Sequence, residues 1–292
     1  MNQTTTSSWR GYLELTKPGV QALLFVSCIS GMLIGSKFSP PLSIFIFGLL
    51  GISFLAASAA VINHIFDSEI DAKMNRTASR PLVKGSITEF SASVFAAALY
   101  ISGSLMLLIY VNALTWILTS LTFIFYAFIY TRYLKFMTSQ NIVIGGLAGA
   151  MPPLLGWTAV SNTIEPNAWL LVLIVMVWTP PHFWALAVYR VDDYSEAAVP
   201  MLPVQKGIAF TKQHIVLYTL LLLASTMLPY AVGMFQELYL VVALILGLGF
   251  LYFSIKLYRD DTNASAMQTF AYSISYLAAL FGAMLLDQYL YL

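Results

Sequence analysis

Residues 42–71 read LSIFIFGLLGISFLAASAAVINHIFDSEID, and this run decides the fold class. Its first part, 42–65, is apolar without a charged residue. A bilayer is crossed by a helix of about 20 such residues. Further stretches of the same kind lie at 18–36, 90–110, 113–132, 141–160, 168–189, 213–233, 238–258 and 269–291. Nine membrane helices are therefore expected in an all-α, polytopic chain. Composition agrees: 59% of residues are hydrophobic and 9% are charged, against about 25% charged in a soluble domain. Membrane lipid is the expected surrounding, and the net charge of +1 gives no basis for a nucleic-acid partner.

The basic residues test the count of helices. With the N-terminal side called inside, Arg10 and Lys17 are inside. So are Lys73, Arg76, Arg80 and Lys84 after the second helix, and Arg132 and Lys135 after the fourth. Arg190, Lys206 and Lys212 follow the sixth helix, and Lys256 and Arg259 the eighth. Every basic residue except Lys37 falls on that side. The asymmetry predicts a cytoplasmic N-terminus and an outside C-terminus in a bacterial plasma membrane. Residues 1–9 are short, polar and lack an apolar core, so the first hydrophobic segment is expected to stay in the protein. Cys28 is the single cysteine, which excludes a disulfide framework and a zinc quartet. One domain over 1–292 is expected, with connections 66–89 and 190–212 on the inside face carrying the chemistry.

The second helix runs into Asn63, Asp67 and Asp71, spaced i, i+4, i+8. A helix keeps all three on one face, each about 6 Å from the next along the axis. Carboxylates at that separation repel unless a cation lies between them. Hard oxygen ligands suit Mg²⁺, which takes one or two carboxylates and completes its shell with water and phosphate. The basic run that follows, with Arg76 and Arg80, suits an anionic ligand beside the metal. Glu69 points off the face and reads as solvated. Solvated charges at a helix end are the plain alternative. They fit less well, because acidic residues near membrane depth are costly and usually functional.

A second acidic group follows the sixth helix. Asp192 and Glu196 are spaced i, i+4, and Asp193 is adjacent. Two such groups facing each other suit metal-held diphosphate, although a solvated loop start explains this second group equally well on its own. Pro180-Pro181 within the sixth helix is expected to break or kink it and free backbone carbonyls beside a cavity. His182, next to that break, is expected to line the cavity. Tyr126 and Tyr130, at i, i+4 on the fourth helix, line the cavity or serve as interfacial aromatics. Gly145, Gly146 and Gly149 read as close helix packing, and Lys206 and Lys212 as orientation charges.

Asn63-x-x-x-Asp67-x-x-x-Asp71 resembles the first aspartate-rich motif of the UbiA superfamily of intramembrane prenyltransferases. The continuation through Met74-x-Arg76-Thr77 to Arg80-Pro81-Leu82 resembles the haem branch of that superfamily. So do Asn141 to Gly146, Trp178 to Ala187, Asp193-Tyr194 and Pro200 to Pro203. These matches extend from Lys17-Pro18 to about Gly207. The second motif departs from the usual Asp-x-x-x-Asp. The resemblance favours Asp193 as its metal ligand, whereas spacing favours Asp192 with Glu196.

The resemblance implies nine helices around a central cavity and Mg²⁺-dependent transfer of farnesyl from farnesyl diphosphate to protohaem IX. Asn63, Asp67 and Asp71 would hold one Mg²⁺ and the second group another. Arg76, Arg80, Lys135 and Arg190 would neutralise the diphosphate. A haem A synthase, or haem–copper oxidase assembly, is the implied partner. Three other readings compete: prenylation of a quinone-precursor ring, transport of an anionic solute, and haem-based electron transfer with ligands among His64, His182 and His214. The haem-type stretches speak against the first, the lack of a visible inverted repeat against the second, and the acidic motifs against the third.

Overall fold

The computed structural model describes residues 9–74 and 77–292. Among them nine helices are long and apolar enough to cross a membrane: α1 (Pro18–Gly35), α2 (Leu42–Asp71), α3 (Glu89–Tyr110), α4 (Ala113–Met137), α5 (Asn141–Ser161), α6 (Pro166–Tyr189), α7 (Ile208–Ala231), α8 (Glu237–Arg259) and α9 (Ala266–Leu290). The chain is a polytopic membrane protein. Short helices at Trp9–Leu15, Val191–Glu196 and Leu202–Lys206 lie between or before them. No strand is present among the described residues.

Local chemistry explains the helix ends. The Thr88 hydroxyl accepts from the Ser91 N–H and starts α3, a cap that contributes about 1 kcal/mol. Asn112 starts α4 in the same way, its side-chain oxygen accepting from Thr115 N–H at 2.8 Å. Its amide also donates to the Thr158 and Ala159 carbonyls, tying α4 to the end of α5. Asp287 on α9 is buried and accepts from the N–H groups of Gln236 and Tyr239, so α8 is capped from another helix.

α2 packs on α3, α1 on the second half of α5, α6 on α7, and α9 on both α6 and α8. α5 and α6 are the centre: in their most apolar 18-residue stretches 72% and 78% of residues are buried, against 22% for α4 and 28% for α8. The main core joins Leu55 of α2, Leu154 and Trp157 of α5, Leu171 and Trp178 of α6 and Phe281 of α9. Ile101, Leu121 and Ile245 stay exposed, as a lipid-facing surface requires. α1 and α5 cross at backbone contact. A Cβ on Gly31 would meet the Pro153 carbonyl at 2.0 Å, and one on Gly156 the Cys28 carbonyl at 2.1 Å. Small residues permit this approach where lipid gives no hydrophobic driving force.

Several expectations are corrected. α2 continues to Asp71 instead of ending near residue 65, so the acidic triad is helical throughout. α7 starts at Ile208, ahead of the expected 213. α6 runs unbroken through Pro180-Pro181, both buried against neighbours, and the expected break is not found. Packing on both sides holds the helix despite two missing N–H donors. Of the three glycines on α5, Gly145 sits under the Tyr130 ring and Gly146 against Thr179. Gly149 has no such neighbour within 4 Å. Lys212 is buried and donates to the Asp260 carbonyl at the end of α8, a structural role beyond orientation.

Candidate active site

Asn63, Asp67 and Asp71 occupy one buried face at the end of α2, each 5% exposed or less. Burial of two carboxylates is costly unless they are paired, and each of the three residues meets a cation through one oxygen. Lys17 Nζ donates to Asn63 Oδ1. Lys135 Nζ lies 2.8 Å from Asp67 Oδ1, an ion pair outside hydrogen-bond geometry. Arg80 pairs with Asp71 Oδ2. The three cations come from the start of α1, the end of α4 and the connection after α2. Glu69 is exposed, as its spacing predicts.

The part of α4 that faces this triad is a π-helix over Phe125–Leu134. Such turns are rare and frequent at functional sites. The wider turn aligns residues five apart. Thr131 is buried and its hydroxyl donates to the Tyr126 carbonyl at 2.8 Å. The same oxygen accepts from Asn63 Nδ2 at 3.1 Å, and that amide also donates to Asp67 Oδ2 at 3.0 Å. With the amide hydrogens so used, Asn63 Oδ1 is turned outward. Tyr126 and Tyr130 stack at 5.7 Å with an interplanar angle of 13°. Both lie within electrostatic reach of Asp67. Phe66 packs edge-on against Phe128, holding the π segment to α2.

The second acidic group is held differently. Asp192 and Glu196 are exposed on the short helix Val191–Glu196. Asp193 is half-buried, with Arg190 at 3.6 Å. Tyr194 packs, with Ile70 of α2, on an apolar cluster that includes Met74, Ile142, Trp184 and Val188. Tyr194 and Ile70 thus share one cluster, while Asp192 and Glu196 stay exposed.

His182 is set into the α6–α9 interface. Its Nδ1 is 2.6 Å from Ser273 Oγ, and its ring stacks on Trp178 and Phe270 at 4.2 and 4.5 Å. This replaces the expected position beside a helix break. Arg76 lies outside the described residues. Sequence reasoning did not assign Lys17, Thr131 or His64 to the site around the triad. Thr131 carried a weak signal, lying four residues before Lys135 and next to Tyr130.

The triad fits Mg²⁺. Its donors are hard oxygens on one buried face, and one oxygen of each residue already meets a cation. No group of three or more His, Cys, Asp and Glu side chains suited to a metal occurs among the described residues. Two carboxylates and an amide leave coordination positions for water and phosphate, as Mg²⁺ prefers.

The UbiA prenyltransferase family matches residues 24–281 of this chain. A protein of Saccharophagus degradans called protoheme IX farnesyltransferase is 52% identical over 284 residues, covering 97% of this chain and 94% of that one. One of the same name from Alcanivorax borkumensis is 53% identical with the same coverage. A solved structure concerning digeranylgeranylglyceryl phosphate synthase in membranes has a TM-score of 0.79 at 23% identity, over 96% of this chain and 98% of that one. A UbiA homolog from Archaeoglobus fulgidus bound to DMAPP and Mg²⁺ has a TM-score of 0.69 at 17% identity, over 94% and 98%. These two share the fold.

Proposed function

This chain belongs to the UbiA prenyltransferase family, and on that premise we propose that it transfers farnesyl from farnesyl diphosphate to a vinyl group of protohaem IX, with addition of water, giving haem O and diphosphate. The observation that carries this is the identity of 52% or more, over nearly the whole length, to proteins named for that reaction. The chain acts as one catalytic unit in the bacterial plasma membrane, with its N-terminus in the cytoplasm. Its product serves haem–copper oxidase assembly, with a haem A synthase as the neighbouring enzyme.

Asn63, Asp67 and Asp71 would hold Mg²⁺, with Asp193 on the facing segment. The metal, when bound, supplies charge stabilisation to the departing diphosphate. The residues of the chain do the rest. Arg80, Lys135 and Arg190 place positive charge where negative charge develops on the leaving oxygens, which lowers the barrier most where water is excluded. Arg76 is assigned the same task from its place in the motif. As the farnesyl C1–O bond breaks, the stacked faces of Tyr126 and Tyr130 lie beside the triad, suited to a developing allylic cation. The vinyl terminal carbon bonds to farnesyl C1. Water adds to the cationic carbon next to the porphyrin and loses a proton to solvent.

The test is incubation of the purified protein with protohaem, farnesyl diphosphate and Mg²⁺, with an EDTA control and mass spectrometry of the porphyrin. A metal-dependent product carrying farnesyl plus water is expected. Unchanged haem alongside prenylation of a quinone-precursor ring would move the acceptor assignment.

A further inference from the structure

α1 begins beside the triad, and a cleft of about 340 Å³ opens there. Its walls are Glu14, Lys17, the first turn of α1 from Pro18 to Val20, His64 and Arg80. His64 is 3% exposed, and neither ring nitrogen has a hydrogen-bond partner among the described residues. A buried donor and acceptor left without partners is costly, and such a group calls for an explanation. The opposite wall is the start of an 18-residue helix whose cap residue, Lys17, has φ 54 and makes no side-chain cap bond. Pro18 has no N–H, and the Val20 and Gln21 N–H groups bond the Lys17 carbonyl, which leaves the Gly19 N–H and the positive end of the helix dipole at the cleft. Lys17 and Arg80 add positive charge, against the single carboxylate of Glu14.

His64 follows Asn63 by one residue, about 100° round the helix. It therefore faces α1, away from the flank where Lys135 and the two tyrosines of α4 lie. We propose that this cleft is a second oxyanion site adjoining the triad, in which the His64 imidazole and the start of α1 bind a carboxylate or phosphate oxygen of a substrate. The proposal rests on the reaction proposed above, whose substrates offer two such groups, the porphyrin propionates and the diphosphate. The propionates suit the cleft better. An apolar macrocycle within the bundle has to leave its ionised propionates at the polar face, where α1 starts.

The experiment measures KM for both substrates with full-length wild type, His64→Leu and His64→Gln, using protohaem and its dimethyl ester as acceptors. Propionate binding predicts that His64→Leu raises the KM for protohaem about tenfold. His64→Gln, which keeps a donor, recovers part of the loss, and the KM for farnesyl diphosphate stays unchanged. The dimethyl ester, having no anion, is a poorer substrate for wild type and indifferent to the substitution. A rise confined to farnesyl diphosphate upholds the oxyanion site and assigns it to the diphosphate. Unchanged KM for both substrates overturns the proposal and leaves the imidazole to water. If wild type does not prenylate protohaem, the proposed reaction fails instead. Calorimetry with inorganic diphosphate on wild type and His64→Leu then decides the site: weaker binding by the variant upholds it, and equal binding overturns it.

Discussion

The two acidic motifs differ in how their oxygens are held. Asn63, Asp67 and Asp71 are buried, and each is met by a cation from a different segment of the chain. The second motif sits on a helix of 6 residues, with Asp192 and Glu196 exposed and only Asp193 half-buried beside Arg190. A carboxylate fixed by a membrane helix and its neighbours is preorganised, whereas an exposed one has to be ordered when a ligand arrives. The contrast teaches that the first motif is preorganised by its neighbours and the second is not.

The comparison is tested first at its stronger side. Asp67→Ala or Asp71→Ala should lower kcat by about 10³-fold or more while the protein remains folded in detergent. Near-normal turnover in either variant, measured with the haem assay, would remove the triad as metal ligands. On the weaker side the expected effects separate. Asp193→Ala should cost about 10²-fold in activity, whereas Asp192→Ala and Glu196→Ala should stay within about twofold, as exposed charges do. If Asp192 and Glu196 prove the more sensitive pair, helical spacing reads this motif better than burial does. An effect smaller than that of Asp193 concerns the orientation of the first motif. Thr131→Val should weaken Mn²⁺ binding, followed by electron paramagnetic resonance, about tenfold. Thr131→Ser should restore it, and the thermal midpoint should not move in step. Equal Mn²⁺ affinity in all three proteins would show that Asn63 needs no help to present its oxygen.

The strong features of this molecule were legible because they are local. An apolar run of bilayer length is a membrane helix whatever its neighbours, and basic residues on one side tested the number of runs. Asn63, Asp67 and Asp71 share a face by helical spacing alone. Features that depend on a distant partner were not legible. Thr131 bonds Asn63 across 68 residues of sequence, and its role needs a π turn that no spacing announces. Pro180 and Pro181 carry a strong local preference for a break, and the packing around α6 overrides it. His182 looked like a cavity residue until Ser273 and Phe270 of α9 arrived beside it. Lys212 looked like an orientation charge because the Asp260 carbonyl it meets is 48 residues away.

The cations resting on the triad have a thermodynamic consequence. Lys135 and Arg80 leave the buried carboxylates already compensated and Lys17 occupies the Asn63 oxygen, so a dication entering alone would compete with them and gain little. An anion entering alone meets cations that are already engaged. On the proposed reaction, a dication and a diphosphate arriving together would let the positive side chains turn from carboxylate to phosphate, each newcomer freeing the partner the other requires. Their affinities are thereby linked, and linkage is reciprocal. On that proposal the site would work as an exchange of ion pairs, its empty state guarded against either ligand by itself.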